Sequence, residues 1–186
     1  MRAYLALLPI CLMASCSGQD QERIRQQFDA RQPDTAVLNR LPLYDSLRRS
    51  VLAKLPEFFP AADLEQMGNR WKWARNAFFL NTQGELQQLD HRDSSEVRLP
   101  AATQLVLLEQ FEQIGDNNIF GFEIGLDSTF IALVRNEYVK EFHLDIRERL
   151  TWSAKPDSSA PSEFSKTVPV ADHWTYLIWY DKRSGW

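Results

Sequence analysis

Apolar residues recur at Leu43, Leu47, Val51 and Leu55, every fourth position, while Arg48, Arg49 and Lys54 fall off that line. A spacing of four stacks side chains on one helical face, so an amphipathic helix is predicted here. Pro42 suits its first turn and Pro56 stops it. A second short helix is expected from Ala61 to Met67, with Pro60 near its start and Gly68 just past its end. From Arg70 the period shifts towards two. Arg70 to Leu80 carries Trp71, Trp73 and Phe79 on one parity, and Asn81-Thr82-Gln83-Gly84 reads as a hairpin loop.

Ile119 to Leu126 alternates more cleanly, Phe120, Phe122, Ile124 and Leu126 opposing Gly121, Glu123 and Gly125. Tyr138 to Ile146 repeats the pattern, Phe142, Leu144 and Ile146 opposing Glu141, His143 and Asp145. Such alternation predicts antiparallel strands with one buried and one solvated face. Thr129 to Val134 is apolar on both parities and reads as a central strand. Pro100 to Gly115 fits a helix between an N-terminal Pro and a C-terminal Gly, with a strand as the weaker alternative. Ser153 to Pro169 reads as a long loop, and His173 to Asp181 as a closing strand dense in aromatics. Helices followed by hairpin-connected strands predict an α+β fold, with N-terminal helices packed on a mainly antiparallel sheet.

The first residues follow a different logic. Arg2 is a basic lead, Ala3 to Leu12 an apolar run, and Met13-Ala14-Ser15-Cys16 ends it with small residues before a cysteine. The run is shorter than the roughly 20 apolar residues of a membrane span. This stretch resembles a bacterial lipobox, with Met13 in place of the usual Leu; a plain secretory signal and an uncleaved anchor are the alternatives. The resemblance implies cleavage after residue 15, a diacylglycerol thioether on Cys16 and an acylated amine, which together anchor durably where one chain would not. By the sorting rule that comes with it, Ser17 after the cysteine implies the outer membrane of a Gram-negative envelope. The chain then divides into a signal peptide (1–15), the lipidated Cys16 with a polar tether (16–34), and one globular domain (35–186). Ser17 to Asp34, almost free of aliphatics, would span about 60 Å if extended. Alternatively, Glu22 to Arg31 forms a short helix with Ile24 and Phe28 four apart.

Of the two cysteines, Cys11 lies in the segment that cleavage removes, so a mature domain with Cys16 acylated has no internal disulfide. Its core must hold it, and 44% hydrophobic residues permit that. Loss of Arg2 takes the net charge from −4 to −5, with 20 basic against 25 acidic residues, which argues against nucleic acid as a partner. The chain has no zinc-protease, paired-cysteine, nucleophile-elbow or phosphate-loop motif, and no cofactor is called for. Asp116, Asn118, Gly121 and Asp127 match parts of a calcium loop, but Phe120 stands where an oxygen ligand is needed; a hairpin turn explains them better.

Two sets of residues remain as candidates for function. Glu141, His143 and Asp145 would share a strand face and offer two carboxylates and an imidazole to a metal or a reaction; a merely solvated face has the same composition. Asp90-His91-Arg92-Asp93 and Asp172-His173 pair an acid with a histidine, as surface loops also do. The six tryptophans either fill the core or form a binding platform, for which Trp71, Trp73, Trp174 and Trp179 are the candidates. The favoured expectation is a noncatalytic, lipid-anchored envelope domain. It binds a protein, glycan or lipid through an aromatic-bearing sheet, with a His143 enzyme or a hydrophobic-ligand carrier as alternatives.

Overall fold

The structure, a computed structural model, describes residues 22–59, 75–89, 97–115, 117–142, 144–154 and 165–182. The expected helix at 61–67 lies outside these. Residues 22–30 form α1, followed by α2 (Thr35–Leu38), α3 (Leu41–Ala53) and α4 (Leu55–Phe58). α3 is the helix that the four-residue spacing predicts, starting two residues earlier. It buries Tyr44, Leu47 and Val51, with Pro42 in its first turn. The Pro100 to Gly115 segment is helical, as α5 (Ala101–Ile114), and buries Thr103, Leu107, Phe111 and Ile114.

Among the described residues, seven strands make one sheet in the order β2-β1-β3-β4-β5-β7-β6: β1 (Arg75–Leu80), β2 (Leu86–Gln88), β3 (Gly121–Gly125), β4 (Phe130–Val139), β5 (Leu144–Trp152), β6 (Ser165–Ala171) and β7 (Trp174–Lys182). Every neighbouring pair is antiparallel. The fold is therefore α+β, and β4, whose start is apolar on both parities, is the central strand. The β1–β2 hairpin turns through Asn81 to Glu85, with Gly84 at φ 79° where a side chain would be strained.

One sheet face holds the core. It carries Asn76 and Phe78 of β1, Phe122 and Ile124 of β3, Phe130 and Ala132 of β4, Ile146 and Leu150 of β5, and Trp174, Tyr176, Ile178 and Tyr180 of β7, all buried. Phe58 of α4 meets Phe78 and Phe122 edge-on at 5.2 and 5.8 Å, and Phe111 of α5 lies 6.3 Å from Phe122. The Tyr44 hydroxyl of α3 donates to the Asn118 carbonyl at 2.5 Å. α1 covers the far end of this face, where buried Phe28 meets Tyr180 edge-on at 4.9 Å.

Of the two readings of residues 22–34, the short helix holds over 22–30 in place of an extended tether, and it packs on the sheet because Phe28 belongs to the core. Three other expectations need correction. The single strand over 138–146 is instead the end of β4, a turn at 140–142 and the start of β5, with Val139 opposite Leu144. Lys140, Glu141 and Phe142 include no Gly, Pro or Asn, so the turn leaves no compositional mark. The supposed loop ending at Pro169 contributes β6 from Ser165 on; Pro169 is tolerated because β6 is an edge strand. Asn117 and Asn118 sit in a turn from α5 to β3, not in a hairpin; the Asn118 side chain donates to the Ile114 carbonyl at 3.0 Å.

Candidate functional site

Glu148 lies on the inner parity of β5, between Ile146 and Leu150, where apolar residues are the rule. It is 1% exposed. A carboxylate so placed must be paired and hydrogen-bonded, since a lone buried charge costs several kcal/mol. Arg31 Nε donates to its Oε1 at 2.7 Å, and the Tyr176 hydroxyl donates to its Oε2 at 2.5 Å. Arg135 Nη1 approaches Oε1 at 3.5 Å.

A bulge brings Arg135 into this group. The β4–β5 register shifts between Leu133 and Arg135, so that Arg135 opposes Glu148 and Glu137 opposes Ile146. The extra residue reverses the parity of the strand's second half and turns Arg135 and Glu137 inward. Arg135 Nη2 then reaches Asp34 Oδ2 at 2.7 Å, while Asp34 Oδ1 caps α2 by accepting from the Ala36 amide at 2.8 Å. Arg31 Nη2 also donates to Glu137 Oε2 at 3.1 Å. Lys166 Nζ donates to the carbonyls of Asp29 and Arg31 at 3.4 and 3.1 Å.

The charges tune one another. Burial works to lower the Arg31 pKa, but the bonds and charges of Glu148, then of Glu137, more than offset it and hold the guanidinium above its ordinary value. Tyr176 is raised far above the ordinary phenol range, first by burial and then by its bond to Glu148. Burial also raises Tyr180, against the pull of Arg31.

A cleft of about 670 Å³ opens beside this network, lined by Gln27, Arg31, Asp34, Arg135, Glu137 and Tyr180 among others. Its lining mixes four charged side chains, Arg31, Asp34, Arg135 and Glu137, with Ala30, Val139, Ile146 and Tyr180. Arg31 and Arg135 pair with Glu137, Glu148 and Asp34 beside it. The arrangement acts as a clamp that fixes residues 31–34 to the sheet.

None of the described sequence candidates lines this cleft. Cys16, Ser17, Trp71, Trp73, His143 and the Asp90 to Asp93 group lie outside the described residues. Glu141 sits in the β4–β5 turn, paired with Arg23 at 2.7 Å, while Asp145 is a buried residue of β5, so the single strand face expected to carry both is not formed. Asp172 and His173 form the β6–β7 turn, His173 at φ 64° with its ring 5.8 Å from that of Trp152. Asp127 Oδ1 accepts from the Thr129 amide at 3.0 Å in the β3–β4 turn.

The two described tryptophan candidates face opposite ways. Trp174 is 4% exposed and packs edge-on against Phe130 at 6.4 Å, which removes it from any platform. Trp179 has the other parity, on the outer face. There it is half-buried, with the Arg149 guanidinium 4.4 Å and the Arg147 guanidinium 5.9 Å from its ring. Arg149 pairs with Glu123 at 3.1 Å, and burial lowers its pKa against the pull of that carboxylate.

Arg31, Asp34, Arg135 and Glu148 were not among the sequence candidates. One signal existed: continuing the β5 alternation past Ile146 places Glu148 alone among Leu144, Ile146, Leu150 and Trp152. No protein-family model matches this chain, and no curated protein or solved structure matches it either.

Proposed function

We propose that this protein is a noncatalytic interaction domain of the bacterial envelope, anchored through lipid on Cys16 to the outer membrane, which engages an envelope partner with the outer face of its sheet. Trp179 carries this reading. It lies beside two guanidinium groups of β5 on the sheet face opposite the helix-covered core. Tryptophan and arginine are the residues most enriched among binding hot spots, because a large flat apolar area and a fixed fork of donors lose little entropy on association. Tyr138, 43% exposed, has the same outward parity on β4. The anchor rests on Met13-Ala14-Ser15-Cys16, and no helix among the described residues is long and apolar enough to cross a membrane.

Intact-mass analysis of the mature protein should find Cys16 first and diacylglycerol-modified, and Cys16→Ser should accumulate as uncleaved precursor. Crosslinking in envelope preparations should capture a discrete partner with the wild type and lose it with Trp179→Ala. A free Cys16 thiol removes the anchor; capture unchanged by Trp179→Ala removes the proposed face.

A further inference from the structure

The reach of the chain from Cys16 to its first pinned residues is short. Six Cα steps separate Cys16 from Glu22, at most about 20 Å of chain. From there the chain is fastened to the sheet at several points. Arg23 Nη2 pairs with Glu141 at 2.7 Å and its guanidinium lies 5.4 Å from the Phe142 ring. Phe28 is buried against Tyr180, and Arg31 and Asp34 join the Glu148 clamp. The start of α1 therefore sits at the β4–β5 turn.

The register fixes which end of the sheet that is. Val139 opposes Leu144 and Leu144 opposes Lys182 at this end, while Phe130, Trp152 and Trp174 align at the other. The far end carries the β3–β4 turn and the β6–β7 turn with Asp172 and His173. Ten residues of β4 put about 30 Å between the two ends.

We propose that the β4–β5 turn and the first turn of α1 are the membrane-facing end of the domain, lying against the phospholipid headgroups of the bilayer that holds the lipid. This rests on the lipid-anchor reading of Cys16. A leash of at most about 20 Å, shorter than the sheet is long, keeps this end down and the Asp172 end away. The exposed groups at this end include Tyr138, an amphipathic aromatic, and the cations Arg25 and Lys140, beside Glu22 and the carboxylates of Glu137 and Glu141, which pair with Arg31 and Arg23. Aromatics of this kind settle at membrane interfaces, and basic side chains attract lipid phosphates. The clamp acquires a purpose in this arrangement. By holding α1 to the sheet it fixes where the chain leaves the domain, with the Trp179 face standing to the side.

The test uses the full lipidated protein in phosphatidylethanolamine and phosphatidylglycerol vesicles containing a nitroxide-headgroup lipid. With Cys16 acylated, Lys140→Cys, Arg25→Cys and Asp172→Cys each supply one thiol, at exposed positions where the fold tolerates a label. A fluorophore at 140 or 25 should be quenched at least about three-fold more than one at 172, given the separation of about 30 Å. Equal quenching at the two ends, or more at 172, overturns the orientation while leaving the anchor intact. Absence of the diacylglycerol adduct from the intact mass overturns the anchor and the orientation together.

Discussion

The Arg31 guanidinium and the Glu148 carboxylate meet at 2.7 Å although 117 positions separate them in the chain. The contact ties the segment after α1 to the middle of β5. Its attraction is less screened than that of a surface pair, because Glu148 is 1% exposed and Arg31 only 21%. Two further groups, Arg135 and Tyr176, complete the coordination of the carboxylate.

Glu148→Gln should lower unfolding stability by about 2–4 kcal/mol, since it leaves two guanidinium groups facing a neutral amide on the core side of the sheet. Glu141→Gln, which breaks the solvent-exposed pair with Arg23, should cost no more than about 0.5 kcal/mol. Urea denaturation of both variants checks the contrast. Equal small losses would mean that the clamp contributes nothing to stability.

The two described tryptophans should separate in the same assay. Trp174→Ala empties a core site against Phe130 and should cost about 3–5 kcal/mol. Trp179→Ala removes a half-exposed ring and its guanidinium contacts, for a loss nearer 1 kcal/mol. A reversed order would contradict the assignment of the two sheet faces.

Periodicity made much of this fold legible. The every-fourth-residue line at Leu47 and Val51, the alternation through Phe122 and Ile124, and the doubly apolar start of β4 each report burial directly, and each element stands where expected. The clamp was not legible for two physical reasons. The bulge after Leu133 reverses parity within one strand, so a continuous period of two puts Arg135 and Glu137 on the wrong face. Arg31 and Asp34 sit in a stretch whose composition is that of a solvated linker; the burial of Phe28 and pairing with partners more than a hundred positions away fold it down. The β4–β5 turn was missed because nothing in Lys140-Glu141-Phe142 marks a reversal.

Gly121 should tolerate no side chain. A Cβ there would collide with the Phe78 carbonyl oxygen and crowd the Phe79 Cα at 3.1 Å, both backbone atoms of the neighbouring β1 strand that cannot swing away. Gly121→Ala should therefore force β1 and β3 apart and destabilise by more than about 2 kcal/mol. Thermal melting checks it, and a loss under about 0.5 kcal/mol would show that the β1–β3 pairing adjusts freely.

Alkaline pH should unfold the protein through its buried phenols. Tyr44 and Tyr176 are 0% exposed, and burial raises both pKa values far above the ordinary phenol value, with the Glu148 bond adding to the effect at Tyr176. Burial raises Tyr180 as well. Below about pH 10 the folded and unfolded chains both keep these protons, and stability is indifferent to them. Above it the unfolded chain releases protons that the native chain retains, so the unfolded state binds fewer. Stability must then fall as pH rises, by up to about 1.4 kcal/mol per pH unit for each tyrosine. Urea midpoints should hold steady from these groups up to about pH 10 and drop steeply beyond it, and Tyr176→Phe should remove roughly a third of the slope. Phenolate absorbance near 295 nm assigns the cause: the buried tyrosines should ionise together with the loss of circular dichroism. Ionisation of all the tyrosines while the dichroism stays native, with a flat midpoint between pH 10 and 11, would show that Tyr44 and Tyr176 meet solvent in the folded state and that the Glu148 cluster is open to water.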